Sequence, residues 1–350
     1  MPMPLVLTAL LLVSQNKVAK PFDLITPNSI QAHMKFLSSD LLEGRGTPSR
    51  GLDIAAEYIA SQFQLAGLQS AQGFLTANGQ TQPAPTGLDG YFQITEFENR
   101  RTKLKASVRN VIGIIPGTDP NLKGTYILVT AHYDHLGKKE GEGDTIFNGA
   151  NDDGSGTVGV IECARALAAS KPKRTLVFMC FWGEEAGLQG SRYYVQNPVF
   201  PLKDTISNIN LEQIGRTDDT EGPRVADFNI TGFDYTDLST YLTKSAQPFG
   251  VKVTMHPKLS GLYFNASDNA AFANAGVPAN TISTAYQFPD YHAVGDEWPK
   301  IDFENMTKIV RSVCAGVASV GNSKEPVKWN ELNEKTKRYV EAWKKLQGST

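Results

Sequence analysis

Cysteine is scarce in this chain, with three in 350 residues. Cys163, Cys180 and Cys314 are too few for a disulfide framework and lack the paired spacing of a thiolate zinc site. Cys163 and Cys180 stand in apolar surroundings and read as core residues, since a free cysteine packs like a small hydrophobe. Net charge is equally scarce. The 34 basic and 36 acidic side chains leave a formal −2, so no global basic field draws the chain to nucleic acid. Long apolar runs are missing as well. The stretch PLVLTALLLV at residues 4–13 is shorter than the ~20 residues that span a bilayer. It suits the apolar core of an export signal occupying residues 1–20, although residues 1–4 carry no lysine or arginine and no A-x-A cleavage site follows. The expectation is a secreted or periplasmic protein with no stable membrane span. No internal repeat is visible. No phosphate-cradling glycine motif occurs in a strand–turn–helix context, which removes support for nucleotide binding.

What is present is an ordinary globular composition, 41% apolar and 20% charged. Strand-like and helix-like segments alternate through the centre, the pattern of an α/β protein. Strands are expected at 108–115, 125–131, 174–182, 206–211, 251–254 and 278–284. Helices are expected from Ser29 through Leu41, from Leu52 to a stop at Gly67, and at 156–169, 191–195, 235–243, 268–274, 301–317 and 325–346. Residues 71–90 and 138–148 read as surface loops. No linker divides residues 21–350, which form one expected domain.

Polar groups fall where the expected strands end, the place where open α/β sheets bind ligands. After TYILVTA come His132 and Asp134, which alternation puts on one side. A metal-bound histidine usually gives its other ring proton to a carboxylate, and this pair fits those two roles. Asp152 and Asp153 are adjacent in the glycine-rich GANDDGSG at 149–156. They could serve only a turn and a helix cap, with Ser155 as the cap, but a cation would relieve the crowding of charge and make Asp152 a bridging ligand. Glu184 and Glu185 follow the buried-type strand RTLVFMCFW. One could bind metal while its neighbour holds a water as general base; a solvent-facing acidic turn is the plain alternative. Glu212 and His292 complete a set of oxygen and nitrogen donors that suits zinc, with cobalt or manganese possible by chemistry.

Five segments in this order, AHYDHLG (131–137), GANDDGSG (149–156), FWGEEAGLQGS (181–191), NINLEQIGR (208–216) and DYHAVGD (290–296), resemble the M28 family of zinc aminopeptidases, the bacterial leucyl aminopeptidase type. QAHMKFLSSDLLEGRGT at 31–47 resembles that family's N-terminal pattern. The resemblance implies a mixed central sheet flanked by helices, the zinc-dependent exopeptidase (phosphorylase/hydrolase-like) fold, without an inserted protease-associated domain. It implies that His132, Asp152 and Glu212 hold one divalent ion and Asp152, Glu185 and His292 a second, with Asp152 bridging and zinc the first choice. Glu184 would be the general base and Asp134 the residue that orients His132. Asp153 would follow Asp152 across a peptide bond that is often cis. SDNAAFANAGVP at 267–278 resembles the family's SDHxxFxxxGIP segment, with Asn269 in place of histidine, and would support the pocket. Glu212 stands where many members have aspartate; it is one methylene longer and still a hard oxygen ligand.

The implied activity is hydrolysis of the N-terminal peptide bond of peptides with a free N-terminus. A related carboxypeptidase or amidohydrolase, a one-zinc glutaminyl cyclase of the same fold, and a relative that has lost its metals are the competing readings. The 71–90 and 138–148 loops are expected to shape the cleft.

Overall fold

The structure is a computed structural model describing residues 21–79, 87–99 and 103–348. The expected export signal, residues 1–20, lies outside the described residues. The strands are β1 (Gln69–Ser70), β2 (Leu88–Asp89), β3 (Phe92–Glu98), β4 (Lys105–Ile115), β5 (Tyr126–His132), β6 (Gly137–Lys138), β7 (Ile146–Phe147), β8 (Thr175–Phe181), β9 (Thr205–Leu211), β10 (Asp227–Ile230), β11 (Lys252–Thr254) and β12 (Ala279–Ser283). The helices are α1 (Pro27–Leu37), α2 (Arg50–Leu65), α3 (Ala71–Ala77), α4 (Gly156–Leu167), α5 (Gln189–Gln196), α6 (Leu238–Ala246), α7 (Leu259–Leu262), α8 (Asn269–Asn274), α9 (Phe303–Asn322) and α10 (Lys337–Leu346).

One mixed sheet runs β11-β10-β12-β9-β5-β8-β4-β3-β2, with β1 pairing β4. Its centre, β12-β9-β5-β8, is parallel; β4, β3 and β2 continue it antiparallel. All seven residues of β5 and of β8 are buried. That explains their unbroken apolar sequences, since helices cover both faces of such a sheet. Period-two alternation sends Ile127, Val129 and Ala131 into the core shared with α1, α2, α4, α6 and α9. Tyr126 and Leu128 go to the opposite core, with Phe74, Phe272 and Tyr339. Burying each such side chain contributes about 1.5–3 kcal/mol, which places the sheet centre among the segments hardest to open locally. The carboxyl ends of four parallel strands therefore meet along one edge on a rigid base.

Several expectations change. Helix α1 stops at Leu37; Leu41 lies beyond it and is 85% exposed. Thr26, not Ser29, caps α1, and Ser29 completes a reciprocal capping box with it at 3.1 Å each way. The 71–90 segment is not all loop, because α3 and β2 lie within it. The helix expected at 325–346 begins only at Lys337. Before it, Leu332 is 95% exposed and Trp329 stacks on Tyr339 with ring centres 5.2 Å apart. Strands β3 and β10 lie where no strand is expected; all of β3 pairs antiparallel with residues 105–111 of β4. No helix among the described residues is long and apolar enough to cross a membrane.

Candidate metal centre

The carboxyl edge of the sheet gathers the candidate residues. His132 ends β5, Glu184 and Glu185 follow β8, and Glu212 follows β9. Asp152 comes from the turn before α4, and His292 from the loop after β12. His132 Nε2 is 3.4 Å from Asp152 Oδ1, while His292 Nε2 is 3.2 Å from Asp152 Oδ2. The two oxygens of one carboxylate thus face two different imidazoles. His132, Asp152 and Glu212 offer ligand atoms all within 4.8 Å of one another. On the other side His292 Nε2 is 3.4 Å from Glu185 Oε1. Glu184 Oε2 lies 4.0 Å from His132 Nε2, at the same opening but outside the ligand grouping.

Each of these side chains is fixed from behind. His132 Nδ1 meets the Asp134 carbonyl oxygen at 3.2 Å and the Asp134 carboxylate at 3.4 Å. With Nδ1 engaged there, Nε2 is the ring nitrogen that faces Asp152 and would be the one to bind an ion. Asp134 is fully buried. It accepts the Glu184 amide at 3.0 Å and the Thr47 hydroxyl at 3.0 Å, so one carboxylate positions both His132 and the Glu184 main chain. Asp153 joins three elements: its Oδ1 accepts the amides of Gly156 (2.8 Å) and Gln213 (3.2 Å), and its Oδ2 that of His132 (3.4 Å). Gly156 is required there, because a Cβ would lie 2.3 Å from the Leu211 carbonyl and 2.4 Å from Asp153 Oδ2. The Asp152–Asp153 peptide is cis. Asp153, rather than Ser155, caps α4; the Ser155 hydroxyl turns back to the Asn151 carbonyl at 2.7 Å.

Sequence reasoning passed over four supports. Asp296 is buried and accepts the amides of Asn151 and Asp152 at 3.0 Å, which holds the Asp152 main chain in place. His135 is buried with Nδ1 2.9 Å from Glu185 Oε1, and His135, Asp152 and Glu185 also group within 4.8 Å. Arg216 donates to Asp290 at 2.9 Å and so ties down the loop that carries His292. Arg45, 1% exposed, donates to the carbonyls of Tyr133 (2.7 Å), Asn148 (2.7 Å), Gly149 (2.9 Å) and Leu37. Burial pulls its guanidinium down to about 10, against Asp134, Asp296, Asp153 and Asp152. It therefore stays charged beneath the acidic loops. His135, Asp296 and Arg45 all stand inside the motifs quoted above; nothing in their residue type marked them as supports.

Electrostatics test whether the site suits a cation. Burial, with repulsion from Asp152, pushes the Glu212 carboxyl up to about 8. Burial also raises Glu184 and Asp153, each with Glu212 adding repulsion. Burial opposes the charged form of His132, but Glu184, Asp134 and Asp152 hold it well above its usual value. Hydrogen bonds to Asp152 and Glu185 lift His292 to about 10. The carboxylates thus favour positive charge at both imidazoles, the same preference that would draw a cation. Glu212 Oε2 is buried without a hydrogen-bond partner among the described residues, and His132 Nε2 and Glu185 Oε1 are buried with only the ionisable groups of the cluster beside them. Such unpaired groups are costly unless something binds them. Hard oxygen and imidazole donors grouped this closely fit divalent ions of the zinc type.

The cleft beside these residues measures about 360 Å3 and is lined on its far wall by Thr231, Tyr263, Asn265, Ser283, Tyr286 and Gln287. No described residue of 71–90 or 138–148 lines it, so the described parts of those segments do not form its wall; residues 80–86 lie outside the described residues. Asn269 is buried behind it, bonded to Thr281 at 2.8 Å and to the Phe264 carbonyl at 2.9 Å.

Sheet and cluster together define an α/β protein with a buried carboxylate–imidazole centre at its strand ends. The family model of peptidase family M28 matches residues 110–317, and the chain belongs to that family. Among curated relatives, aminopeptidase YwaD of Bacillus subtilis is 31% identical over 67% of the chain. The chain spans 50% of that protein's length, and 60% and 58% of two others that match it. Among solved structures, LapB of Legionella pneumophila shares the fold, with a TM-score of 0.64 at 20% identity over 88% of this chain and 76% of that one. A glutaminyl cyclase of Bacteroides thetaiotaomicron also shares it, with a TM-score of 0.59 at 16% identity over 84% and 98% of the two chains. The fold is thus common to hydrolases and a cyclase, and the reaction has to be argued from the site.

Proposed function

We propose that the protein is a co-catalytic di-metal aminopeptidase, removing the first residue from peptides with a free N-terminus. The observation that carries this reading is the divided Asp152 carboxylate, with one oxygen toward His132 and the other toward His292. His132, Asp152 and Glu212 would hold one ion, and Asp152, Glu185 and His292 the other, with zinc the natural choice. Bound ions would acidify a water and polarise the scissile carbonyl.

The chain's own groups do the rest. Glu184 faces this opening with its main chain held by Asp134, and it would take the proton from the attacking water and hand it to the leaving amine. Asp134 keeps His132 and Glu184 in register with one another. The surrounding carboxylates would draw the substrate's ammonium group.

The test is metal content measured together with hydrolysis of matched free and N-acetylated peptides. Two ions per chain, with loss of one residue only from free N-termini, is the expected result. One ion with release of ammonia from N-terminal glutamine would assign the chain to the cyclases instead. Cleavage from the other end would make it a carboxypeptidase.

A further inference from the structure

The cleft at the metal centre is not the end of the concavity. Leu188 and Asn265 line that cleft and also a second hollow of about 370 Å3. They form the ridge between the two. The second hollow carries Arg192 and Arg338, and no acidic side chain lines it. Two guanidinium groups in a concave surface without a carboxylate have positive charge to offer a guest.

The hollow follows from the helices. Helix α8 packs against both α5 and α10. It contributes Ala270, Ala271 and Asn274 to the lining, and such short side chains leave a trough. Arg192 enters it from α5 and Arg338 from α10. Arg192 is exposed, and its side chain makes no hydrogen bond or ion pair among the described residues. Asp268, buried behind the trough, feels its charge but lies beyond ion-pairing distance. Arg338 is held in place. Its Nη2 donates to Asn265 at 3.1 Å and to the Tyr339 hydroxyl, and its guanidinium carbon lies 4.5 Å from the Tyr339 ring centre. One arginine is thus fixed at the wall while the other has its whole planar fork open, the shape that matches a carboxylate.

The trough lies on the leaving-group side. The leaving amine must stand beside Glu184 to receive its proton, and the Leu188 amide donates to the Glu184 carbonyl at 2.8 Å. The Arg192 amide donates in turn to the Leu188 carbonyl at 3.1 Å. Two such steps, each about 6 Å between α-carbons, put Arg192 within about 12 Å of Glu184. An extended peptide advances about 3.3–3.6 Å per residue, so about three or four residues cover that distance. We infer that this trough captures a carboxylate on the leaving side of the substrate, about three or four residues beyond the scissile bond, supplied by a free C-terminus or an acidic side chain. The inference rests on the aminopeptidase reading for which end of the peptide extends toward Arg192.

Two peptide series test it with the zinc-loaded full chain at low salt. The first is leucine followed by alanines, about two to seven residues long, each as the free acid and as the C-terminal amide. At about four or five residues kcat/KM should favour the acid about three- to tenfold, through KM. Added salt should shrink that ratio. The second series holds the C-terminus as the amide and sets glutamate against glutamine at the same distance, which distinguishes an acidic side chain from a terminal carboxylate. The double variant Arg192→Gln/Arg338→Gln should bring each ratio close to one. Damage to the fold would lower both members of a pair and leave their ratio intact. Peptides cut with no preference in either series, or a preference that survives in the double variant, would overturn the inference and leave the aminopeptidase reading standing. If no peptide is cut, that reading falls, and calorimetry with the same pairs decides the trough. An acid bound more tightly than its amide by the wild type but not by the double variant supports the capture; equal binding overturns it.

Discussion

The two halves of the candidate metal centre are built differently. The inner half, His132 and Glu212 with Asp152, hangs from the ends of β5 and β9, and His132 is 1% exposed. The outer half depends on His292, which sits on a loop at φ +54° with its side chain 38% exposed. The inner donors inherit the stiffness of the sheet. The outer imidazole is held by what surrounds it, through Arg216 on Asp290 and a Tyr291 ring stacked 4.0 Å away. The comparison teaches that two sites sharing one carboxylate need not share affinity. The inner half should hold its ion more tightly and exchange it more slowly.

The largest change expected to collapse that difference is Asp152→Asn, which removes the one group common to both halves. Neither ion should then be retained through dialysis, and peptide hydrolysis should disappear; metal analysis and a peptide assay check both. A retained ion would mean that Asp152 is not shared. Glu184→Gln should spare both halves and remove only the base. Its kcat should fall by about a hundredfold to ten-thousandfold with metal content unchanged. His292→Ala sharpens the contrast further: one ion should be lost and one kept, whereas His132→Ala should weaken the tighter site.

Arg45→Met tests a support rather than a ligand. Its guanidinium meets the carbonyls of Tyr133, Asn148 and Gly149, which belong to the two loops that carry His132 and Asp152. Losing partners beyond the ligands typically costs 10–100-fold in metal affinity, about the effect expected here. Competition with a chelator measures it. Arg45→Lys should restore part of it, since an ammonium keeps the charge but cannot reach four carbonyls at once. A lower melting temperature with unchanged affinity would make Arg45 a residue of folding alone.

Arg45 also shows where the sequence could be read and where it could not. The parallel strands were legible because burial on both faces leaves continuous apolar runs such as TLVFMCF. The ligand set was legible because polar residues at the ends of such strands have few other reasons to be there. Strand β3 (FQITEFE) was not, since its half-exposed alternation lacks a clear apolar face. The expected helix starts earlier than α10 because Trp329 and Leu332 fall at helical spacing. In the fold Trp329 packs as a single anchor, its ring nitrogen donating to the Gly276 carbonyl at 2.9 Å, and Asn330 and Asn333 turn the chain. Arg45 and Thr47 lie outside the span that the family model matches. Spacing within a motif does not say that an arginine will turn inward; only the carbonyls assembled around it do.

The remaining expected effect is on pH, and it again separates ligand chemistry from support. Zinc requires deprotonated donors, so binding must displace protons wherever the free groups still hold them. Burial, with Asp152 nearby, puts the Glu212 carboxyl up at about 8, and Asp152 and Glu185 put His292 at about 10. Both groups are then largely protonated at pH 7, and both must lose that proton to bind. The sign follows: zinc affinity should rise with pH from 6 to 8, by about tenfold per unit for each proton released. It should flatten above 8 for the part due to Glu212 and continue to rise for the part due to His292. Calorimetry of zinc binding in Tris and in a buffer of low ionisation heat reads the proton count directly. Glu212→Gln should lower that count by one at pH 7. An affinity flat from pH 6 to 8 would mean that these donors are already deprotonated, and that the loops beneath them carry more positive charge than Arg45 supplies.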